Sequence, residues 1–253
     1  MNEFFPQECH DKPIKLLNEI NPNGYLIGIE IDSLKIKFIS ENISDIFNNK
    51  ISNNEILENQ FFSIFEVEID FSKVLEKKTG EYQKEYFFLN GINYFVIIYH
   101  NNGFFYIELE RDFCLKQNSS FHSHTEKIIF SKNIAENWLN LIHSIKSITG
   151  YNRIMIYKFK EDGSGESIAE TVDDNYESYL NLRFPDFDIS QRSRELFLKK
   201  RNLLVTDVSQ VNSKIISNIG NDIDLTYSEF RTLSKSHIQY LKILMLLQVL
   251  LYL

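Results

Sequence analysis

The sequence predicts an α+β chain with two antiparallel-sheet domains, and three observations carry that prediction. Three strand-like runs, Glu85–Leu89, Ile92–His100 and Phe104–Glu110, are separated by Asn90-Gly91 and Asn101-Asn102-Gly103, the strongest short hairpin signals. Residues 133–149 set Ile134, Trp138, Leu141, Ile142, Ile145 and Ile148 on one helical face, with Gly150 as a stop. A second apolar alternation follows, Arg153-Ile154-Met155-Ile156-Tyr157-Lys158-Phe159. Sheet, helix and second sheet in that order read as two domains, which 253 residues accommodate.

Composition sets outer limits. With 43% apolar and 25% charged residues the chain can bury a core. Twenty-one Phe and 13 Tyr make it rich in aromatics. A net charge of −8 argues against a nucleic-acid partner, because phosphate binding needs clustered cations. No basic start followed by an apolar core marks a signal peptide. The apolar tail, Ile243–Leu253, is too short to span a membrane as a helix, so no membrane partner is expected. Cys9 and Cys114 make no disulfide framework, which points to a reducing cytoplasm.

Taken in order, residues 1–24 form an arm with three of the four prolines, Pro6, Pro13 and Pro22, and no helical or strand period. Tyr25–Ile31 and Lys35–Ile43 are strand candidates around an Asp32-Ser33 turn. Glu66–Leu75 mixes apolar and acidic residues and reads as helical. With the three runs above, a five-stranded antiparallel sheet is expected over 25–112. Residues 113–132 read as a linker; His122 and His124 within it lack third and fourth ligands at metal-site spacing. His143 lies just off the apolar helical stripe and reads as structural. A second helix is expected from Ser190, whose hydroxyl can cap it, through Leu198. Residues 208–230 show no period and read as a long loop, a feature that in compact domains is usually functional.

Three stretches together carry a resemblance: the Tyr-bearing run 153–159, Phe184-Pro185-Asp186-Phe187-Asp188-Ile189-Ser190, and Arg231-Thr232-Leu233-Ser234-Lys235-Ser236-His237. Their order resembles the bilin-binding GAF domain of phytochromes. The strand, Ser-x-Asn and short-helix pattern at Phe38–Phe47 resembles the opening of a PAS domain. Cys9, Pro13-Ile14 and Ile20-Asn21-Pro22-Asn23-Gly24 match the spacing around the attachment cysteine of bacterial phytochromes, with Asn21 and Asn23 replacing the usual Gln and His. The resemblance covers residues 8–242. It implies an arm (1–24), a PAS-like domain (25–112), a linker (113–132) and a GAF-like domain (133–253). It also implies that the arm threads as a knot through the 208–230 insertion, with Ile20 at the plug position.

Function follows from the same resemblance. The cofactor is biliverdin, a linear tetrapyrrole, attached by the Cys9 thiolate without another enzyme. Ser236 stands where plant and many cyanobacterial relatives carry their own attachment Cys, which favours Cys9. The Asp188 carbonyl accepts from the pyrrole N–H groups, and its carboxylate helps hold the cationic bilin. Ile189 packs on the ring faces, and His237 sits beside rings B and C through water. Arg231 and Ser234 bind propionates. Tyr157, Phe184 and Phe197 wall the ring-D pocket where photoisomerisation occurs. Read on residue chemistry alone, the same groups are ordinary: an Asp capping a helix, a core His, a solvated Arg, an aromatic core. Departures from the family are Asp186-Phe187 before the Asp, Ser190 for Pro, Phe197 for Tyr and Leu203 for a second propionate-binding Arg.

The implied function is a red/far-red photoreceptor input module, with a homodimer as its assembly. The PHY domain and histidine kinase output of the family have no counterpart in this sequence. The family's GAF domain also continues beyond Tyr240-Leu241-Lys242, so the GAF-like part is expected to be incomplete and the chain to behave as a truncated fragment. Residues 243–253 read as a one-base frameshift, since restoring one adenine at Lys242-Ile243 with A/T-rich codons gives the family's continuation; an apolar C-terminal helix is the other reading. No nucleophile–base pair, P-loop or dinucleotide fingerprint marks an enzyme, and no nucleophile or metal cluster accompanies His237 and Asp188 as an acid–base pair. The competing function class is a light-independent PAS–GAF module for a small ligand or for dimerisation, which biliverdin addition and far-red absorbance separate from the photoreceptor.

Overall fold

A computed structural model of the chain describes residues 18–112, 126–186, 191–200, 202–205, 207–233, 238, 239, 241, 242 and 249–252. The chain divides into two compact units, residues 1–113 with 192–253, and residues 114–191.

The first unit is built on strands β1 (Glu19–Ile20), β2 (Gly24–Glu30), β3 (Ile36–Ser40), β4 (Gln83–Leu89), β5 (Ile92–Asn101), β6 (Phe104–Arg111) and β11 (Ser213–Ser217). They form a seven-stranded sheet in the order β1-β11-β3-β2-β6-β5-β4, every pairing antiparallel. Both Asn-Gly turns are present, and Asn90, Gly91, Asn102 and Gly103 all take positive φ (49°, 82°, 47° and 83°). Two successive left-handed residues match the right-handed strand twist, which fixes the registers Leu89↔Ile92 and Asn101↔Phe104. The five strands between 24 and 111 are those expected.

Two strands of this sheet, β1 and β11, were not expected. β11 lies inside the stretch read as a long loop, where it pairs with β3 on one side and β1 on the other. Ser213-Lys214-Ile215-Ile216-Ser217 does not alternate polar and apolar residues, and here the open edge of β3 supplies its template. A correction also applies to Glu66–Leu75: only Phe71–Leu75 is helical, begun by Asp70, whose carboxylate accepts the Ser72 N–H at 3.2 Å.

Alternation along the strands produces two cores. On one face, Ile27, Ile29, Ile39, Val96, Ile98 and Ile107 pack under the 3-10 helix Glu41–Phe47 and the short helices Asn53–Ile56, Phe61–Ile64 and Phe71–Leu75. On the other, Leu26, Phe38, Tyr99 and Tyr106 meet Ile20, Ile223, Leu225 and Phe230. Covering both faces explains why β2 reads as a nearly unbroken apolar run. Each fully buried side chain of this size contributes about 1.5–3 kcal/mol.

The second unit pairs β7 (Arg153–Phe159), β8 (Gly165–Val172) and β9 (Arg183–Phe184) as a three-stranded antiparallel sheet. The helix Ile134–Thr149 packs on β7 and β8. Asn133 caps it by accepting the Glu136 N–H at 2.9 Å, and Gly150 ends it at φ 70°. Its apolar stripe is buried at the centre, at Ile142, while Ile134 and Ile148 at the two ends are exposed, as is His143. Next in sequence comes the helix Gln191–Lys199, which belongs to the first unit from residue 192 on; in that unit β10 (Asn202–Val205) pairs antiparallel with β12 (Val249–Tyr252). Residues 249–252 of the apolar tail are therefore strand, not helix.

Candidate binding site

Ile20, the expected plug residue, is fully buried. Its backbone bridges Arg231, and the next residue, Asn21, donates its N–H to the Phe230 carbonyl at 2.7 Å. The turn that follows is held from several sides. Asn21 Oδ1 accepts the Asn23 N–H at 3.0 Å, and Asn42 Nδ2 donates to the carbonyls of Pro22 and Gly24 at 3.1 and 3.0 Å. A Cβ on Gly24 would lie 2.3 Å from the Phe230 ring, so glycine permits this close approach.

Arg231 is placed by these same contacts. It is only 3% exposed, and its Nε and Nη2 have no hydrogen-bond partner among the described residues. Burial pulls the guanidinium down from its ordinary value to about 10. It lines a cavity of about 20 Å³, room for roughly one water, together with Asn21, Asp207, Gln210, Asn212 and Thr232. A buried cation with two unused donors is costly unless an anion completes it. The Nε and Nη2 edge of the guanidinium matches a carboxylate's fork, which would have to enlarge a cavity that now has room for about one water.

Behind the sheet lies a buried carboxylate that the sequence reading missed. Glu108 on β6 is 1% exposed, accepts the Tyr99 hydroxyl at 3.2 Å and accepts the Glu229 N–H at 2.8 Å. Burial pushes its carboxyl up to about 7, against the opposing pull of bonds from Ser228 and Glu229 and of the Lys200 charge. Lys200, itself buried, forms an ion pair with Glu229. These groups fasten residues 228–229, and with them Arg231, to the sheet. A Glu at an inward position of a strand was the available signal, visible once β6 is aligned with its neighbours.

In the second unit Tyr157 and Phe184 do meet, with ring centroids 5.5 Å apart. Tyr157 also lies over Gly165, where a Cβ would come within 2.0 Å of the ring. Tyr179, another residue the sequence reading missed, packs edge-on against Phe184 at 6.2 Å. Phe197 lies on the helix Gln191–Lys199, and only that placement is described. Cys9, Asp188, Ile189, Ser234 and His237 lie outside the described residues. Among the described residues no cluster of His, Cys, Asp and Glu could hold a metal, and no helix is long and apolar enough to cross a membrane.

No protein-family model matches the chain. Individual proteins do. A bacteriophytochrome of Pseudomonas aeruginosa is 28% identical over 246 residues, covering 92% of this chain and 33% of its own length. Cyanobacterial phytochrome A of Nostoc is 28% identical over 255 residues, covering 91% of this chain and 32% of its own length. Phytochrome C of Arabidopsis thaliana is 38% identical over 103 residues, 40% of this chain. The chain thus spans about a third of the length of the first two relatives. The structure of the chromophore-binding domain of wild-type Stigmatella aurantiaca phytochrome P1 superposes with a TM-score of 0.80 at 20% identity, covering 96% of this chain and 84% of that one. Its Thr289His counterpart in the Pr state gives 0.79 at 21% identity. By sequence the chain is similar to the phytochromes over nearly its whole length, and by fold it matches their chromophore-binding, PAS–GAF part.

Proposed function

We propose that this chain is the light-sensing input part of a phytochrome-type photoreceptor and holds biliverdin, a linear tetrapyrrole, through Cys9. Arg231 carries the reading: a buried guanidinium with two donors unused among the described residues, lining a cavity, is the partner a propionate requires. The bilin itself supplies visible-light absorption and a double bond that light can isomerise. The chain's residues bind and orient it. Arg231 and Ser234 take the propionates, Asp188 and His237 face the pyrrole nitrogens, Ile189 lies on the ring faces, and Tyr157, Phe184 and Phe197 wall ring D. The N-terminal arm, with Ile20 as its plug, passes through the insertion that carries β11. Clasping of Ile20 and Asn21 by residues 213 and 230–231 supports that path. A homodimer in the cytoplasm, signalling to a PHY and histidine kinase output, completes the reading; no enzymatic activity is assigned to this chain.

The test is addition of biliverdin to the full chain. A covalent, zinc-fluorescent adduct on a denaturing gel and far-red absorbance are expected. Cys9→Ser abolishes the adduct and Cys114→Ser does not. Loss of the adduct only in the Cys114 variant refutes the attachment site. Absence of any bilin absorbance favours a light-independent small-ligand or dimerisation module instead.

A further inference from the structure

A charged clamp stands behind the aromatic pair of the second unit. Arg153 opens β7 and Glu170 lies on β8, and their side chains form an ion pair with only 7% and 2% of their surface exposed. Each partner then reaches into the connection between β8 and β9, which has no regular structure of its own. Arg153 Nη2 donates to the Glu177 carbonyl at 2.6 Å. Glu170 Oε2 accepts from the Ser178 hydroxyl at 2.6 Å and from the N–H groups of Tyr179 and Leu180 at 2.8 and 3.1 Å. One guanidinium and one carboxylate therefore hold four consecutive residues, 177–180. Arg153 also lies flat against the Tyr179 ring, its Cζ 3.8 Å from the centroid. Tyr179 meets Phe184, and Phe184 meets Tyr157.

We propose that Arg153 and Glu170 are positioning residues for the chromophore pocket: their ion pair sets the place of Tyr179 and, through Tyr179, the way Phe184 and Tyr157 wall a bound tetrapyrrole. The inference rests on the bilin-binding reading above. Satisfied on every side, such a pair is stiff, whereas removing one partner strands a buried charge. Lysine cannot reproduce the planar fork that serves Glu170, the Glu177 carbonyl and the Tyr179 face at once. An excited bilin divides its energy between emission, heat and twisting, and that division depends on how firmly the neighbouring rings hold it. The clamp acts on the division without touching the bilin.

The experiment compares the full chain with Arg153→Lys, Glu170→Gln and the apolar double variant Arg153→Met/Glu170→Met, each supplied with biliverdin. Adduct formation, absorption band shape, bilin emission yield, melting temperature and amide exchange at Tyr179 and Leu180 are measured together. In Arg153→Lys the adduct persists, exchange at both amides quickens, and the emission yield shifts measurably from the parental value, because lysine cannot hold Glu170, the Glu177 carbonyl and the Tyr179 ring together. The double variant melts above either single variant, because no charge is left unpaired, but it does not regain the parental emission, because residues 177–180 have lost their anchors. Parental band shape and emission in both Arg153→Lys and the double variant, with the adduct intact, overturn the positioning role and leave a purely structural clamp. If the unmodified chain forms no bilin complex, the bilin reading itself fails and the positioning role falls with it.

Discussion

The carboxylate of Glu108 accepts the backbone N–H of Glu229 at 2.8 Å, across 121 residues of chain. This bond ties the central sheet to the segment that carries Arg231, and it does so in a buried place. Burial, the largest influence, raises the Glu108 carboxyl from 4.5 to about 7. Between those values the folded chain keeps a proton that the unfolded chain gives up. The contribution of Glu108 to stability is therefore greatest below pH 4.5 and declines as pH rises towards 7, by up to about 3 kcal/mol. Glu229, Asp224 and Lys200 are the charged neighbours of this network. Glu108→Gln stays neutral throughout, so denaturant unfolding at pH 5 and pH 8 should show a smaller loss on alkalinisation in the variant. Equal losses in the two proteins reject the assignment.

Arg231 is expected to cost the unliganded chain stability. Its depression to about 10 by burial corresponds to about 3 kcal/mol against the charged form at neutral pH. Arg231→Met removes the charge and keeps much of the apolar stem, so the unliganded variant should melt higher, by about 1–3 kcal/mol in stability. Biliverdin should then protect the parent more than the variant. A lower melting point for unliganded Arg231→Met, or equal protection by biliverdin, counts against the anion-binding role.

Gly165→Ala should displace Tyr157. A Cβ there would sit 2.0 Å from the Tyr157 ring, on a strand with no room to retreat from its partners. The expected cost is about 1–3 kcal/mol, the usual range for overpacking. In a Tyr157→Ala background the same change should cost far less, since the two side chains compete for one space. Strict additivity of the two substitutions in a double-mutant cycle would show that the ring and the glycine do not share that space.

Asp188→Ala is expected to leave attachment at Cys9 intact while spoiling photoconversion. On the proposed reading it removes a carboxylate that faces the pyrroles, so a deprotonated, blue-shifted bilin should gain population near neutral pH. Absorbance and photoconversion equal to the parent would remove Asp188 from the site.

Much of the chain is decided by local chemistry. The β4–β5–β6 meander was legible because each Asn-Gly pair dictates its own turn, and each turn dictates its own register. The helix Ile134–Thr149 was legible from its stripe, its Asn133 cap and Gly150. Tyr157 and Phe184 could be named because each sits in a motif of the family resemblance, not because local chemistry predicts that their rings meet. What the sequence alone determined is therefore the set of elements that neighbouring residues specify by themselves.

The remaining features are products of distance. β1 has only two residues and β11 does not alternate, and they pair because Glu19 and Ile20 find Lys214 and Ser213 across the fold, with β3 on the other side of β11. Glu108 looks like any strand carboxylate until residues 228–229 and Tyr99 close over it. Arg231 could be named as an anion partner from the motif, but not its burial or its unused donors. Arg153 and Glu170 gave no signal at all, because their meeting depends on the β7–β8 register and on a connection that folds back over both. Tertiary structure decided these because burial and pairing are properties of a three-dimensional neighbourhood, while turns, caps and stripes arise from residues a few positions apart.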